Sequence, residues 1–416
     1  MNFECTMKVL IIGFVWPEPN SSGAGTRMLQ LIALFQRQDW EITFASAAAD
    51  SEFMFDLTSI GVKKVSIAIN DSSFDVFIKE LNPSIVVFDR FMVEEQFGWR
   101  VAENCPDALR ILDTIDLHSL RLARQKAVKE KILFSKDHLF SDTAKREIAS
   151  ILRSDISLLI SETEIEILKH HYKIDGNLLY YLPFLVDKIE EKMVQKWLPF
   201  TDRRDFFFIG NFLHEPNWNA VQFLKESIWP LIRKQLPEVC MKIYGAYPSQ
   251  KVLQLHNPKE NFLIMGRAEN AAAEVGKARI VLAPIRFGAG AKGKLIEAMQ
   301  CGTPSVTTTV GAESMRDNLP WNGIIADEPI QIANAAVQLY QDETLWKQSQ
   351  QNGIAIVNQR YSATLFESNF TANIKRVSEN LKTHRLHNFF GAMLLHHTMA
   401  STKYMSRWIE AKNKIN

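Results

Sequence analysis

Short apolar runs alternate with amphipathic helical patterns along the first half of the chain. The run Lys8–Gly13 is rich in β-branched residues and ends in glycine, and comparable runs occupy residues 41–45, 65–69, 85–88, 109–112 and 156–160. Between them, apolar residues recur at helical spacing, and one long helical segment is expected over residues 120–153. Strands that alternate with helices in this way form a parallel sheet covered on both faces. The first half therefore predicts a doubly wound α/β domain.

The same pattern restarts after a charged stretch that begins near residue 187. Strand-like runs follow at residues 206–210, 240–244, 262–265, 280–283 and 305–309, and a helix is expected over residues 219–235. A chain of 416 residues exceeds the size at which single cores stop growing, roughly 250 to 300 residues, so two domains are expected. We place a first Rossmann-like domain at 1–186, a linker at 187–202, a second Rossmann-like domain at 203–372 and C-terminal helices at 373–416, packing back on the first domain.

The composition excludes several classes of protein. Lys and Arg number 48 against 47 Asp and Glu, so the formal charge is +1 and no overall basic field favours nucleic acid. The four cysteines are far apart, no CxxC pair occurs, and the histidines are not grouped at the spacing of metal ligands. These features predict a cytoplasmic protein without a metal site. The apolar run at residues 9–16 is too short to cross a bilayer, which takes about 20 residues.

The segment from residue 283 to residue 304 carries the most specific chemical signal. A strand-like run leads into a glycine-rich turn, and a helix begins near residues 292–295. Glycine lets a backbone approach a ligand closely, and the N–H groups at a helix N-terminus bind anions such as a diphosphate. Glu297 follows as an acceptor for ribose or sugar hydroxyls. The alternative is a tight connection with solvated charges. The candidate binding residues of the turn are Arg286, Gly288, Gly290, Lys292, Gly293 and Lys294.

Taken whole, this segment resembles the donor-binding element of group 1 glycosyltransferases, the large family 4 of retaining enzymes with the GT-B fold. The chain matches the pattern of one branch, G-x-G-x-x-x-K-x-x-E-A-M-x-x-G-x-P, from Gly288 to Pro304. Further stretches look like this branch in the right order, at residues 113–121, 146–150, 160–162, 182–184, 208–212, 216–220 and 243–248. The resemblance covers residues 7 to about 375. It implies an α/β GT-B architecture, in which two Rossmann-like domains with parallel sheets face a central cleft.

The resemblance implies a glycosyltransferase that moves a hexose-type sugar from a nucleotide-diphosphate sugar to an acceptor hydroxyl, with retention, in glycan or surface polysaccharide synthesis. The nucleotide sugar is then a substrate, no cofactor is expected, and the acceptor is a glycan, a lipid-linked molecule or a protein. The broader family carries two glutamates separated by seven residues, and Ala289 stands in place of the first. This departure leaves open a nucleotide-sugar binder with little transfer activity. The shared architecture also leaves open a nucleotide-sugar 2-epimerase.

The resemblance assigns roles outside the glycine-rich turn as well. His118 is similar to the family's histidine that contacts the donor sugar, and with Asp116 and Glu297 it forms the predicted catalytic set. The turn before the first helix is expected to bring N–H groups toward the donor phosphate, and Arg27 is expected to meet an anion across the cleft. The further residues expected near the nucleotide are Gly23, Ala24, Gly25, Asn211, Gly245, Ala289 and Glu313.

The C-terminal segment carries apolar residues among lysines, arginines and histidines. GT-B chains end in helices that cross back onto the first domain, which predicts that these residues pack in a core. The basic residues allow a second interpretation, which is contact with a membrane surface. The apolar residues concerned are Phe389, Phe390, Met393, Leu394, Leu395, Met399, Tyr404 and Met405.

Overall fold

The computed structural model describes residues 7–415, except for the side chains of residues 397–399 and 415. The first domain contains a parallel sheet with the strand order β3-β2-β1-β4-β5-β6-β7. Its strands are β1 (Lys8–Gly13), β2 (Glu41–Ser46), β3 (Lys63–Ser66), β4 (Ile85–Asp89), β5 (Leu109–Asp113), β6 (Ile156–Leu159) and β7 (Leu179–Tyr181). Its helices are α1 (Gly23–Gln36), α2 (Ser73–Leu81), α3 (Phe91–Asn104), α4 (His118–Glu130), α5 (Asp142–Arg153) and α6 (Glu162–Glu166).

The second domain repeats this architecture after the short helix α7 (Glu191–Val194). Its parallel sheet has the order β10-β9-β8-β11-β12-β13. The strands are β8 (Arg204–Ile209), β9 (Met241–Tyr244), β10 (Phe262–Gly266), β11 (Ala278–Ala283), β12 (Ser305–Thr307) and β13 (Gly323–Ile325). The helices are α8 (Glu215–Phe223), α9 (Trp229–Gln235), α10 (Gln250–Leu253), α11 (Ala271–Lys277), α12 (Gly293–Gln300), α13 (Thr309–Ala312), α14 (Pro329–Gln341) and α15 (Glu343–Arg360). The predicted α/β fold of two Rossmann-like domains is confirmed.

Burial explains why the central strands lack the alternation of a half-exposed sheet. Every residue of β4 and of β5 is buried, because helices cover both faces of the sheet. Two separate apolar clusters fill the two sides of the first sheet, and a third surrounds the second sheet. Continuous apolar runs were therefore the correct signal for strands in this chain.

The structure corrects several predicted elements. The long helix expected over residues 120–153 is wrong, because α4 ends where Lys131 adopts a left-handed conformation with φ 55°. The next helix, α5, starts only at Asp142, where the Ser141 hydroxyl accepts a hydrogen bond from the Ala144 N–H. The third strand lies at residues 63–66 instead of 65–69, and the helix expected to start at residue 219 begins at Glu215. Strands β7 and β13, of three residues each, were not predicted.

The chain returns to the first domain after α15. Three helices follow there, α16 (Glu367–Glu379), α17 (Leu381–His387) and α18 (Phe389–Ile415). Phe370 of α16 lies in the apolar cluster of the first domain, with its ring centroid 6.0 Å from that of Phe35 and 5.5 Å from that of Tyr180. Helix α18 lies against α3 and α5. No helix among residues 7–415 is long and apolar enough to span a bilayer.

Candidate active site

The carboxyl ends of the two sheets meet at the domain interface, where open α/β sheets hold their ligands. A cavity of about 180 Å³ lies there and is lined from both domains, with Ala24 and Gly25 on one side and Asn211 on the other. Tyr247 of the second domain and Glu18 of the first also line this cavity. They join the two domains there, because the Tyr247 hydroxyl donates to both carboxylate oxygens of Glu18 at 2.9 Å. The predicted site residues Ala24, Gly25 and Asn211 therefore come together between the two domains.

The glycine-rich turn, residues 288–293, is gripped by two side chains of the first domain. Arg124 of α4 donates from Nη1 to the Gly288 carbonyl at 2.9 Å and forms two hydrogen bonds of 2.8 and 2.7 Å with the Glu313 carboxylate. Glu164 of α6 accepts at Oε1 from the Gly290 N–H at 2.8 Å. We call this arrangement the clasp. It holds backbone atoms of the second domain with a cation and a carboxyl group from the first.

Gly290 is the point of closest approach in the clasp. Its φ is +64°, and a Cβ atom there would lie 3.0 Å from Ile160 Cδ1 and 3.2 Å from both Asp116 Cβ and the Ile115 carbonyl. Glycine is therefore favoured for two reasons: it adopts the left-handed backbone conformation without strain, and it fits the narrow space between the domains. A side chain at position 290 would separate the turn from Glu164.

Glu164 is fully buried and was not among the predicted site residues. Its Oε1 also accepts from the Leu117 N–H at 2.9 Å, whereas its Oε2 has no hydrogen-bond partner in the part of the chain that the structure describes. Burial and the nearby charge of Asp116 raise the pKa of Glu164 to about 8. The sequence Ser161-x-x-Glu164 has the form of a capping box. Ser161 does cap α6, yet the Glu164 side chain turns toward the interface.

The two predicted lysines occupy different places. Lys292 Nζ donates to the Gly290 carbonyl at 2.6 Å, so Gly290 is held at both its backbone N–H and its carbonyl oxygen. Lys294 Nζ donates to Asn217 Oδ1 at 2.6 Å and lies 4.2 Å from the centroid of the Phe208 ring. Burial lowers the pKa of Lys292 to about 8 and that of Lys294 to about 7. Neither ammonium group is as strongly charged as a surface lysine.

Glu297 lies one turn along α12 from Lys294. Burial raises the pKa of Glu297, and the Lys294 charge only partly opposes this shift. A helix places residues three apart on the same face, so the carboxyl and ammonium groups share one side of α12. The structure thus brings Lys294, Glu297 and Asn217 together at the start of this helix.

A second polar cluster joins the domains beside the clasp. Asp116 lies 3.4 Å from His118 Nε2 and 3.2 Å from Arg121 Nε, and Arg121 Nη1 is 3.3 Å from Nδ1 of His214 in the second domain. Burial alone would raise the pKa of Asp116, but Arg121 and the imidazoles outweigh it and hold that pKa below its usual value. Burial lowers the pKa of His118 and of His214 to about 4, so both imidazoles are neutral at pH 7. Arg121 and His214 were not predicted as site residues.

The start of α1 faces the start of α12 across the interface. A Cβ atom on Gly293 would lie 3.9 Å from Gly23 Cα, and both glycines lie near the Phe184 ring. Gly25 must be a glycine because a Cβ atom would approach the Glu18 backbone to 2.4 Å. Two helix N-termini that converge in this way provide a positive electrostatic environment for an anion. The N–H groups of Gly25 and Gly290, however, already donate to Ser22 and Glu164.

Two predicted cations do not face the interface cavity. Arg27 is fully buried in the first domain, where its Nη2 lies 3.5 Å from Asp113 Oδ1 and its Nη1 donates to the Pro183 carbonyl. The prediction that Arg27 meets an anion across the cleft is wrong, because α1 turns this position into the core. Arg286 donates from Nε to Asn219 Oδ1 at 2.8 Å and stacks 4.5 Å over Phe223. Its guanidinium therefore interacts with two residues of α8.

The remaining predicted residues have identifiable structural environments. Gly245 permits close packing, because a Cβ atom there would approach the Gly210 carbonyl to 2.0 Å. Asn211 lines the cavity and caps the following turn through Oδ1, which accepts from the Leu213 N–H. Ala289 is buried in an apolar cluster of the first domain. A glutamate at position 289 would place a charge in that cluster, which explains why alanine suits this interface.

Among the residues that the structure describes, no group of three His, Cys, Asp or Glu side chains is placed to hold a metal ion. The charges at the interface are instead arranged as ion pairs, as the cluster around Asp116 and as single buried groups. Lys292, Lys294 and the backbone dipoles of the helix N-termini are the groups of the predicted site that can stabilise an anionic ligand.

Glu164→Ala should release the glycine-rich turn. The Gly290 N–H would lose an acceptor worth about 1.5 kcal/mol or more, so its hydrogen exchange should accelerate roughly tenfold. Hydrogen exchange measured by mass spectrometry on a peptide spanning residues 286–294 tests this. Glu166→Ala, an exposed glutamate on the same helix, is the matched control and should leave the exchange unchanged. Equal exchange in Glu164→Ala and the native protein would show that the clasp does not protect Gly290.

Three comparisons relate the sequence and fold of this chain to known proteins. The model of the family described as glycosyl transferases group 1 matches residues 203–342. No curated protein sequence matches the chain closely enough to count as a relative. Among solved structures, sucrose-phosphate synthase (tll1590) from Thermosynechococcus elongatus has a TM-score of 0.67 at 14% identity, over 89% of this chain and 99% of that one.

Two further solved structures have the same fold. Anabaena Alr3699/HepE, in complex with UDP and glucose, has a TM-score of 0.67 at 13% identity, over 89% of this chain and 99% of that one. A glycosyltransferase from Rickettsia africae has a TM-score of 0.66 at 12% identity, over 90% of this chain and 100% of that one. The resemblance predicted from the sequence is therefore confirmed: residues 203–342 match the group 1 glycosyltransferase model, and the whole chain has the two-domain GT-B fold of these solved structures.

Proposed function

We propose that this protein transfers a hexose-type sugar, with retention, from a nucleotide-diphosphate sugar to an acceptor hydroxyl in glycan or surface polysaccharide synthesis. The observation that carries the proposal is the clasp, which seats the glycine-rich turn against Asp116 of the other domain, and Asp116 in turn lies 3.4 Å from His118. The solved structure of Alr3699/HepE with UDP and glucose supports a nucleotide sugar as the donor. The nucleotide sugar is a substrate, and no further cofactor is proposed.

We assign the donor mainly to the second domain. The diphosphate lies at the N-terminus of α12, near Lys294, and Glu297 accepts hydrogen bonds from ribose or sugar hydroxyls. The sugar then extends toward Asp116 and His118. A diphosphate would restore full charge to Lys294, whose pKa is lowered by burial. The leaving group is thereby stabilised where negative charge develops.

We assign the acceptor mainly to the first domain. A cavity of about 600 Å³ lies there along the first turns of α3 and extends to the ends of β1 and β2. Phe14, Ile69 and Met92 give it an apolar lining, and the Glu95–Arg146 ion pair gives it a polar one. This mixed lining suits a glycan, lipid-linked or protein acceptor that presents a hydroxyl next to an apolar group.

In the proposed reaction, the acceptor oxygen bonds to the anomeric carbon on the face from which the nucleotide leaves. The bond between the anomeric carbon and the diphosphate oxygen breaks, and the proton of the acceptor hydroxyl passes to the departing diphosphate. His118 is neutral and can hydrogen-bond a sugar hydroxyl, while Asp116 remains ionised beside it. Closure of the two domains excludes water from this step.

Product analysis tests the proposal against its two alternatives. A thermal-shift screen with UDP-, GDP-, ADP- and dTDP-sugars first identifies the donor, which is then incubated with and without sugar or glycolipid acceptors. We expect a glycosylated acceptor and nucleoside diphosphate. A changed sugar without any acceptor would instead indicate a 2-epimerase, and donor binding without any product would indicate a binder, as Ala289 in place of glutamate allows.

Glu297→Gln should lower transfer about tenfold or more, because the amide replaces an acceptor oxygen and one hydrogen bond of about 1 to 3 kcal/mol is lost. The thermal midpoint without ligand should stay near that of the native protein. Turnover per folded molecule is the measurement, and Gln300→Ala on the same helix serves as the control. Unchanged turnover together with a lower thermal midpoint would assign Glu297 a structural role only.

Nucleoside diphosphate binding should weaken as the pH rises above about 7. The free protein holds Lys294 with a pKa of about 7, and a bound diphosphate raises that pKa, so binding takes up a proton. Lys292, with a pKa of about 8, shifts binding in the same direction. Calorimetric titrations in buffers of different ionisation enthalpy measure this uptake at pH 8. Lys294→Met should reduce it, and the absence of proton uptake in the native protein would contradict the placement of the diphosphate.

A further inference from the structure

The outer face of α18 carries a row of exposed apolar side chains that the two-domain fold does not use. The row comprises Phe389, Phe390, Met393, Tyr404, Met405 and Trp408, all of them exposed. At 3.6 residues per turn, these positions fall within a sector of about 160° on one side of the helix. They span about 28 Å along its axis at 1.5 Å per residue. We call this the outer stripe.

The opposite face of α18 fixes which side points outward. Gly391 lies so close to α5 that a Cβ atom would approach the Leu152 carbonyl to 2.1 Å. Ser406 is buried and donates to Asn70 Oδ1 at 2.9 Å, and Glu410 pairs with the buried Arg100 of α3. These contacts hold the helix at one rotation about its axis. The outer stripe is therefore a fixed feature of the surface and faces away from the first domain.

The charge of this region is strongly asymmetric. Residues 389–416, which begin with α18, contain four Lys and Arg and a single acidic residue, Glu410, so their formal charge is +3, although the whole chain carries +1. The remainder of the chain is therefore negative. The charge of Glu410 is neutralised by its ion pair with Arg100. Lys403 and Arg407 both pair with Glu103 of α3. The cation of Lys412 lies 5.4 Å from the centroid of the exposed Trp408 ring.

We propose that the outer stripe of α18 docks on an anionic membrane surface. Exposed Trp, Tyr and Phe side chains enter the interfacial region of a bilayer, and flanking lysines interact with anionic headgroups. The length of the stripe and its excess of basic residues favour this partner over a second copy of the chain, whose matching stripe would carry the same positive charge. No described helix can cross the bilayer, so the helix lies along its surface.

Docking in this way leaves the donor cleft free. Helix α18 lies against α3 and α5 of the first domain, and Thr402 of α18 lines the cavity assigned to the acceptor. A membrane surface at the outer stripe would therefore approach the acceptor side of the protein. The docking itself does not depend on the proposed transfer, because it is measured without donor or acceptor.

Vesicle sedimentation tests the proposal with the full-length protein. Vesicles of phosphatidylcholine containing a quarter phosphatidylglycerol should bind the protein, and vesicles of phosphatidylcholine alone should bind it more weakly. Binding to the anionic vesicles should fall as salt is raised, since the headgroup attraction is screened. Equal binding to both kinds of vesicle at every salt concentration would contradict the role given to the basic residues.

Two sets of variants separate the apolar and charged contributions. The triple variant Y404S/M405S/W408S should reduce the vesicle partition coefficient about tenfold or more, because interfacial binding scales with the apolar area inserted. The matched control I330S/L253S/M265S changes three exposed apolar residues of the second domain and should bind as the native protein does. K412E/K414E should weaken binding to the anionic vesicles without reducing the thermal midpoint.

Two outcomes would overturn the proposal. One is equal vesicle binding by Y404S/M405S/W408S and the native protein. The other is a native dimer in solution, detected by light scattering, that the triple variant converts to a monomer while vesicles bind neither form. The second result would assign the stripe to a second copy of the chain.

Discussion

The grip of Arg124 and Glu164 on the glycine-rich turn is the interaction on which the interface depends. Arg124 holds the Gly288 carbonyl, and Glu164 holds the Gly290 N–H, so backbone atoms of the second domain are bonded directly to helices of the first. Backbone contacts at this distance require Gly290, whose missing side chain leaves room for Asp116. The position of α12, and with it that of Lys294 and Glu297, is therefore fixed relative to the first domain.

Burial at this interface shifts the pKa of several groups that face it. The pKa values of Lys292, Lys294 and His118 fall, and those of Glu164 and Glu297 rise, because desolvation disfavours each charged form. Asp116 is the exception, since Arg121 and its other neighbours together outweigh the burial and lower its pKa. A diphosphate bound at α12 would raise the pKa of Lys294 and so favour its protonated, positively charged form. The protein thus holds Lys294 only partly protonated at neutral pH, and an anionic ligand would raise its charge.

The fold was predictable from the sequence where an element is buried and regular. Continuous apolar runs located the central strands of both sheets, and the Gly288–Pro304 pattern located the glycine-rich turn. The sequence could not show which face of a helix is buried, so Arg27 was assigned to the cleft although it pairs with Asp113 in the core. Glu164 was missed because its partners, Leu117 and Gly290, lie far from it along the chain. Contacts between distant parts of the chain, such as Arg121 with His214, leave no local signal.

Small-angle X-ray scattering on a double variant tests the central claim most directly. R124A/E164A removes both halves of the clasp, and K126A/E166A replaces two exposed residues on the same helices, α4 and α6. The account predicts that R124A/E164A is folded and has a larger radius of gyration than the native protein, because the domains separate, while K126A/E166A matches the native protein. Superimposable scattering curves for R124A/E164A and the native protein would show that other contacts hold the domains together and would contradict the account.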